Sequence, residues 1–84
     1  MKQLLFTIHD SIRESYSPPM LHPNDAVAKR SFAIMVNDPN SMINKTPGDY
    51  IMYCIGEYDT DAGELIPQKH VSLGTGLNYI NKDN

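Results

Sequence analysis

Four side chains, His9, His22, Cys54 and His70, carry the nitrogen and sulfur donors that zinc and related metals prefer, so metal chemistry is the first reading to weigh. Their spacing argues against it, because none pair at the short separations by which a turn or helix presents ligands together. Surface histidines and a buried small thiol account for them. Asp59, Asp61, Gly63 and Glu64 begin like a calcium loop, in which alternate carboxylates converge on the ion. The match fails at Gly63, where a third oxygen ligand is wanted, and at the twelfth position, which is His70 rather than a bidentate glutamate. A solvated hairpin turn is the better reading. Gly74-Thr75-Gly76 lacks the third glycine of a dinucleotide fingerprint, and too little chain follows for the helix that would hold a pyrophosphate. Cys54 lies mid-strand with no adjacent base and Ser72 sits outside any G-x-S-x-G elbow, so nucleophilic catalysis has no assembled partners. The expectation is a protein that is not an enzyme and that holds no metal or cofactor.

Aromatic and basic residues offer a different chemistry. Five tyrosines and two phenylalanines are present, and an exposed ring can cover the π face of an unpaired base. Tyr50, Tyr53 and Tyr58 fall on a strand whose two faces both read as buried, which favours core packing for them. Tyr16, in a proline-rich stretch near Arg13, is the better candidate for exposed contact. Arg13, Tyr16, Lys29, Arg30 and Lys45 then form a candidate DNA-binding patch, with the basic groups on phosphates. The plainer alternative is that these basic residues are only a soluble face.

The net charge of −3 has the wrong sign for a protein whose whole surface attracts nucleic acid. The charge is uneven, however. Residues 1–45 hold Lys2, Arg13, Lys29, Arg30 and Lys45 against Asp10, Glu14, Asp25 and Asp38, whereas the remainder holds Lys69 and Lys82 against six acids. An anionic partner would therefore meet the N-terminal half. Eighty-four residues make one domain, 1–84, since a chain this short buries only roughly 60 to 65% of its unfolded surface. The single cysteine and the lack of a basic-then-apolar leader point to a reducing, intracellular setting, in which Asn44-Lys45-Thr46 is a loop rather than a glycosylation site. No apolar stretch approaches the roughly 20 residues that span a bilayer, so no membrane partner is expected.

The elements that position these residues follow from periodicity. Leu4, Phe6 and Ile8 alternate with Leu5 and Thr7 and predict a buried, central strand. Ser11 to Asn24 reads as a long loop, because Pro18, Pro19 and Pro23 remove backbone donors. Asn24 or Asp25 caps a helix that runs to about Asn37, with Ala28, Phe32, Met35 and Val36 as its apolar stripe and Pro39 as its stop. Tyr50 to Tyr58 alternates as a second buried strand, placing Tyr50, Met52, Cys54, Gly56 and Tyr58 on one face. Asp59 to Gly63 is a hairpin connection, from which Glu64 to Pro67 returns as a short antiparallel edge strand. His70 to Ile80 is a last strand with a kink or a short helical turn. The fold class is α+β, in the order β-α-β-β plus a C-terminal element, with an antiparallel hairpin and one helix packed on the sheet.

The succession of an alternating N-terminal strand, F-A-I-M-V-N-D-P-N-S, P-G-D-Y-I-M-Y-C-I-G-E-Y-D-T-D-A-G and V-S-L-G resembles the small non-structural protein of gokushovirus-type Microviridae. These are tailless phages with circular single-stranded DNA. The similarity covers nearly the whole chain and carries no catalytic set. It implies a DNA-binding or replication-associated protein made in the host bacterial cytoplasm, absent from the mature capsid, and concerned with single-stranded genome synthesis or packaging. Joined to the residues, it gives the expectation of a single-stranded DNA-binding protein in which tyrosines stack on bases and Arg13, Lys29, Arg30 and Lys45 contact phosphates. A homo-oligomer is expected as well, because one helix covers one sheet face and leaves the other to a second subunit. The rival reading is an adaptor for a phage or host replication protein that does not touch DNA, suggested by the net charge and the acidic run Glu57, Asp59, Asp61, Glu64.

Overall fold

The computed structural model describes residues 1–81; Lys82 and the two residues after it lie outside the described residues. Strand β1, Lys2–Asp10, is the centre of an antiparallel five-stranded sheet. It pairs along its whole length with β4, Tyr50–Asp59, in a register running from Lys2 opposite Asp59 to Asp10 opposite Tyr50. Helix α1, Asp25–Asn37, lies across one face of this pair. Phe6 and Ile8 from β1, Met52 from β4 and Ala28, Phe32 and Val36 from α1 form the buried core. The α+β class and the helix-on-sheet packing agree with the sequence reading.

Helix α1 forms where the apolar stripe requires it. Its cap is Asn24, whose side-chain oxygen accepts a hydrogen bond from the Val27 N–H at 2.9 Å. At the other end the carbonyls left without helical donors are met by side chains: Ser41 Oγ donates to Met35 O at 2.5 Å and Asn44 Nδ2 to Val36 O at 2.9 Å. Ser41 is also the cap of a short helix α2, Met42–Lys45, so the loop after Pro39 folds back as a lid over the helix end.

The element order departs from β-α-β-β, for the segment expected to be a loop contains two further strands. β2, Ser15–Tyr16, pairs with His9 and Asp10, and β3, Met20–His22, pairs with Leu4, Leu5 and Phe6, both on the edge of β1 away from β4. Pro18 and Pro19 fall between them, and Ser17 repairs the ladder there. Its N–H donates to Ile8 O at 2.8 Å, its hydroxyl accepts the Ile8 N–H at 2.9 Å, and its carbonyl accepts from Thr7 Oγ1 at 2.8 Å. The prolines therefore interrupt strand pairing without leaving β1 unsatisfied.

Strand β5, Glu64–Thr75, continues through Pro67 instead of ending there, and a 3₁₀ turn at Gly76–Tyr79 follows it, so the alternatives for the C-terminal element are both present in series. β5 is an edge strand whose pairing with β4 shifts register twice, and the extra residues admit the proline. A third irregularity, where β1 meets β4 between Leu5 and Phe6, leaves Ile55 as the extra residue of β4. Beyond it the alternation inverts. Tyr50, Met52 and Cys54 share the helix side, but Gly56 and Tyr58, expected beside them, pair with Leu5 and Gln3 on the uncovered side. No helix among the described residues is long and apolar enough to cross a membrane.

The β4–β5 turn is closed by Asp59, whose carboxylate accepts the N–H groups of Asp61 and Ala62 at 2.9 and 3.2 Å, while Gly63 supplies the left-handed conformation at φ 69°. Thr60 fastens the turn to the chain start, through hydrogen bonds from N–H and Oγ1 to Met1 O, and the N-terminal ammonium pairs with Asp61. The backbone N–H groups of Asp61 and then Ala62 hold the Asp59 carboxyl below the ordinary carboxylate range. A carboxyl so shifted contributes stability above its ordinary pKa, and that contribution is lost as pH falls through the folded value. We expect Asp59→Asn, which keeps an acceptor oxygen but cannot gain the proton, to have a shallower loss of urea midpoint below about pH 4 than the parent. Gly56 is required for a different reason: a β-carbon there would stand 2.5 Å from the Ile66 carbonyl oxygen, which is backbone and cannot swing aside. Gly56→Ala is expected to lower stability by about 1–3 kcal/mol in chemical denaturation.

Candidate nucleic-acid interface

Alternation along β1 sends Phe6 and Ile8 into the core and therefore turns His9 to the face that α1 does not cover. Three other rings join it there. Tyr16, opposite His9 in the β1–β2 register, has its ring centroid 4.4 Å from the imidazole; Tyr53 on β4 is 6.5 Å from His9. His70 on β5 closes the group, at 5.9 Å from Tyr16 and 5.7 Å from Tyr53. The four rings thus come from β2, β1, β4 and β5, and meet on one sheet face. They are tilted or edge-on to one another, with interplanar angles between 39° and 72°, the arrangement that aromatic quadrupoles favour over flat stacking. Tyr16 is 54% exposed, so ring surface remains open to solvent.

Short-range structure fixes Tyr16 although its strand has two residues. Asp10 Oδ1 accepts the N–H groups of Ile12 and Arg13 at 3.0 and 3.2 Å, Ser11 is anchored by N–H and hydroxyl to Asp49 O, each at 2.9 Å, and Glu14 takes a left-handed φ of 53°. With Ser17 bound to Ile8 on the far side, the ring is held at both flanks. Beside the rings on the same face, Leu5, Pro19, Ile55, Leu65 and Pro67 line an apolar concavity of about 260 Å³.

The sequence-predicted patch is divided by this architecture. Tyr16 belongs to the ring group, and Arg13 is exposed in the turn that leads to it. Lys29 and Arg30 are exposed on α1, which lies across the opposite face of the sheet. Lys45, in α2 on the helix side, donates from Nζ to Pro39 O at 3.0 Å. Sequence reasoning missed His9, Tyr53 and His70 as partners of Tyr16. The parity of β1 was a usable signal for His9, since it falls out of step with Leu4, Phe6 and Ile8. Tyr53, expected in the core, is half-buried on the uncovered face. The register shifts of β5 hid His70.

The remaining metal-type donors are turned away. His22 lies 5.6 Å from the Phe6 ring, with Nε2 buried and lacking a hydrogen-bond partner, and half-buried Cys54 packs against the core. Among the described residues, no group of three or more His, Cys, Asp or Glu is placed to hold a metal ion. Tyr79 is structural: its hydroxyl donates to Leu73 O at 2.5 Å, its ring meets Phe32 at 5.1 Å, and burial raises its pKa above the ordinary phenol value. What the open face offers is therefore ring surface, hydroxyl and imidazole groups, and an apolar hollow.

No curated protein and no solved structure matches the chain. The family description "Phage ORF5 protein" matches residues 3–79, which takes in the four-ring group, α1, α2 and the described strands apart from Lys2 of β1. The chain is thus a phage protein and belongs to the Phage ORF5 protein family.

Proposed function

We propose that this protein is a non-enzymatic single-stranded DNA-binding protein of a small single-stranded DNA phage, acting in genome replication or packaging in the host bacterial cytoplasm. One observation carries the reading: Tyr16, Tyr53, His9 and His70 gather on a sheet face that no helix among the described residues covers. An uncovered sheet studded with aromatic rings suits unpaired bases, because each base has a π face and stacking needs no particular sequence. A duplex hides those faces. The resemblance to gokushovirus-type Microviridae proteins supports the same reading, as does membership of a phage family. Arg13, in the turn beside Tyr16, is the basic residue best placed for a phosphate; Lys29 and Arg30 would serve only a strand that wraps to the far side.

A homo-oligomer belongs to this reading, since Leu5, Ile55 and Leu65 line a hollow left open on the same face. A dimer or larger species is expected in light scattering at micromolar concentration, and a monomer would remove that part. The apolar hollow and the net charge of −3 also favour a second reading, an adaptor for a phage or host replication protein without DNA contact.

Fluorescence anisotropy of a labelled oligothymidylate of about 12 nucleotides, at two salt concentrations, separates the two. The expected result is binding that weakens with salt, falls about tenfold or more in Tyr16→Ala plus Tyr53→Ala, and changes much less in Lys29→Ala plus Arg30→Ala. Absence of binding at low salt would sink the DNA reading and leave the adaptor.

A further inference from the structure

A strand of DNA brings a phosphate with every base, and a stacking surface needs cations to hold it. Among the described residues, the open face has none of the permanent kind at its paired positions. Those positions are Gln3, Leu5, Thr7 and His9 on β1, Tyr16 and Leu21 on β2 and β3, Ile51, Tyr53, Gly56 and Tyr58 on β4, and Leu65, Pro67, Ser72 and Thr75 on β5. Neither lysine nor arginine is among them. Lys2 is on the other side, 3.8 Å from Glu57. The groups inside the ring site that can become cationic are the imidazoles of His9 and His70, each in ring contact with both Tyr16 and Tyr53.

We propose that His9 and His70 are phosphate-binding cations inside the ring site, joining Arg13 at its rim, so that protonation of two imidazoles tunes the affinity of the open face for single-stranded nucleic acid. The inference rests on the DNA-binding reading above and specifies what regulates it. Imidazole is the side chain whose charge ordinarily changes between about pH 5 and 8. Each proton gained converts a neutral ring on the platform into a donor of two N–H groups carrying positive charge, beside tyrosines whose hydroxyls stay available for hydrogen bonds.

The titratable groups facing the imidazoles are the phenols of Tyr16 on β2 and Tyr53 on β4. Nearby charges come from Asp10, Arg13 and Glu14 at the β1–β2 turn and from Lys69, next to His70 on β5. The Asp10 carboxylate is engaged with the Ile12 and Arg13 N–H groups. Asp10 and Glu14 keep their negative charge at the turn, while the contacts that the imidazoles make inside the site are to the rings of Tyr16 and Tyr53, and aromatic rings attract cations.

Anisotropy titration of the labelled oligothymidylate at constant ionic strength, from about pH 8 to about pH 5.5, tests this. Affinity should rise on acidification by about fivefold for each imidazole, the size of one screened charge–phosphate contact at 4 Å. His9→Gln plus His70→Gln should flatten that slope. In the parent, the Cε1 proton resonances of both histidines should titrate at higher pH when the oligonucleotide is present, a readout that survives if the double variant folds poorly. Binding that is independent of pH, a slope retained in the double variant, or histidine titrations unmoved by the oligonucleotide would each overturn the proposal while leaving the DNA reading standing. Absence of binding at every pH would overturn both.

Discussion

A helix of 13 residues is about 20 Å long and can cover one face of a sheet but not two. This limit organises the molecule. Phe6, Ile8 and Met52 meet Phe32, Ala28 and Val36 on one side of the β1–β4 pair, and the lid formed by α2 and the C-terminal 3₁₀ turn gathers on that same side. Every residue of opposite parity in β1 and β4 must then make its own arrangement with solvent. Thr7 does so by bonding to Ser17, His9 and Tyr53 by packing rings against each other, and Leu5 and Ile55 by lining a hollow. The candidate site is the direct result of a core built from one side.

Local signals in the chain were readable where they were dense. The Asn24 cap, the spacing of Ala28, Phe32 and Val36, the stop at Pro39 and the Asp59–Gly63 turn each combine a backbone requirement with a residue that meets it, and each appears where expected. β2 and β3 were hidden because two or three residues carry no periodicity. Their existence depends on an edge of β1 that only the folded sheet creates. The inverted faces after Ile55 were hidden for a related reason, since a bulge is a property of a strand pair. One extra residue moved Tyr58 to the opposite side.

The candidate site was legible only in fragments. Tyr16 stood out because prolines and polar neighbours marked it as exposed. His9, Tyr53 and His70 are far from it in sequence, and their meeting needs the order β2-β1-β4-β5 together with a register that brings His70 above Tyr53. Basic residues counted along the chain misdirected attention, because Lys29 and Arg30 sit near Tyr16 in sequence but on the far side of the sheet. Charge composition describes a molecule as a whole, whereas a surface of this kind works by what its two faces do not share.

The β1–β4 ladder joins residues from forty to nearly sixty positions apart, and the core cannot close until it forms. Loop-closure entropy must be met before those contacts return anything, so topology rather than helix propensity sets the pace of folding. β1 leaves the ribosome before its partner β4, with β2, β3 and both helices made in between. During that interval its apolar residues have only β2, β3 and the helix for company. The Ser17-Pro18-Pro19 segment then has a kinetic meaning: by filling one edge of β1 early with short, proline-broken strands, it narrows the ways in which a nascent chain can pair with a neighbour before its own β4 exists.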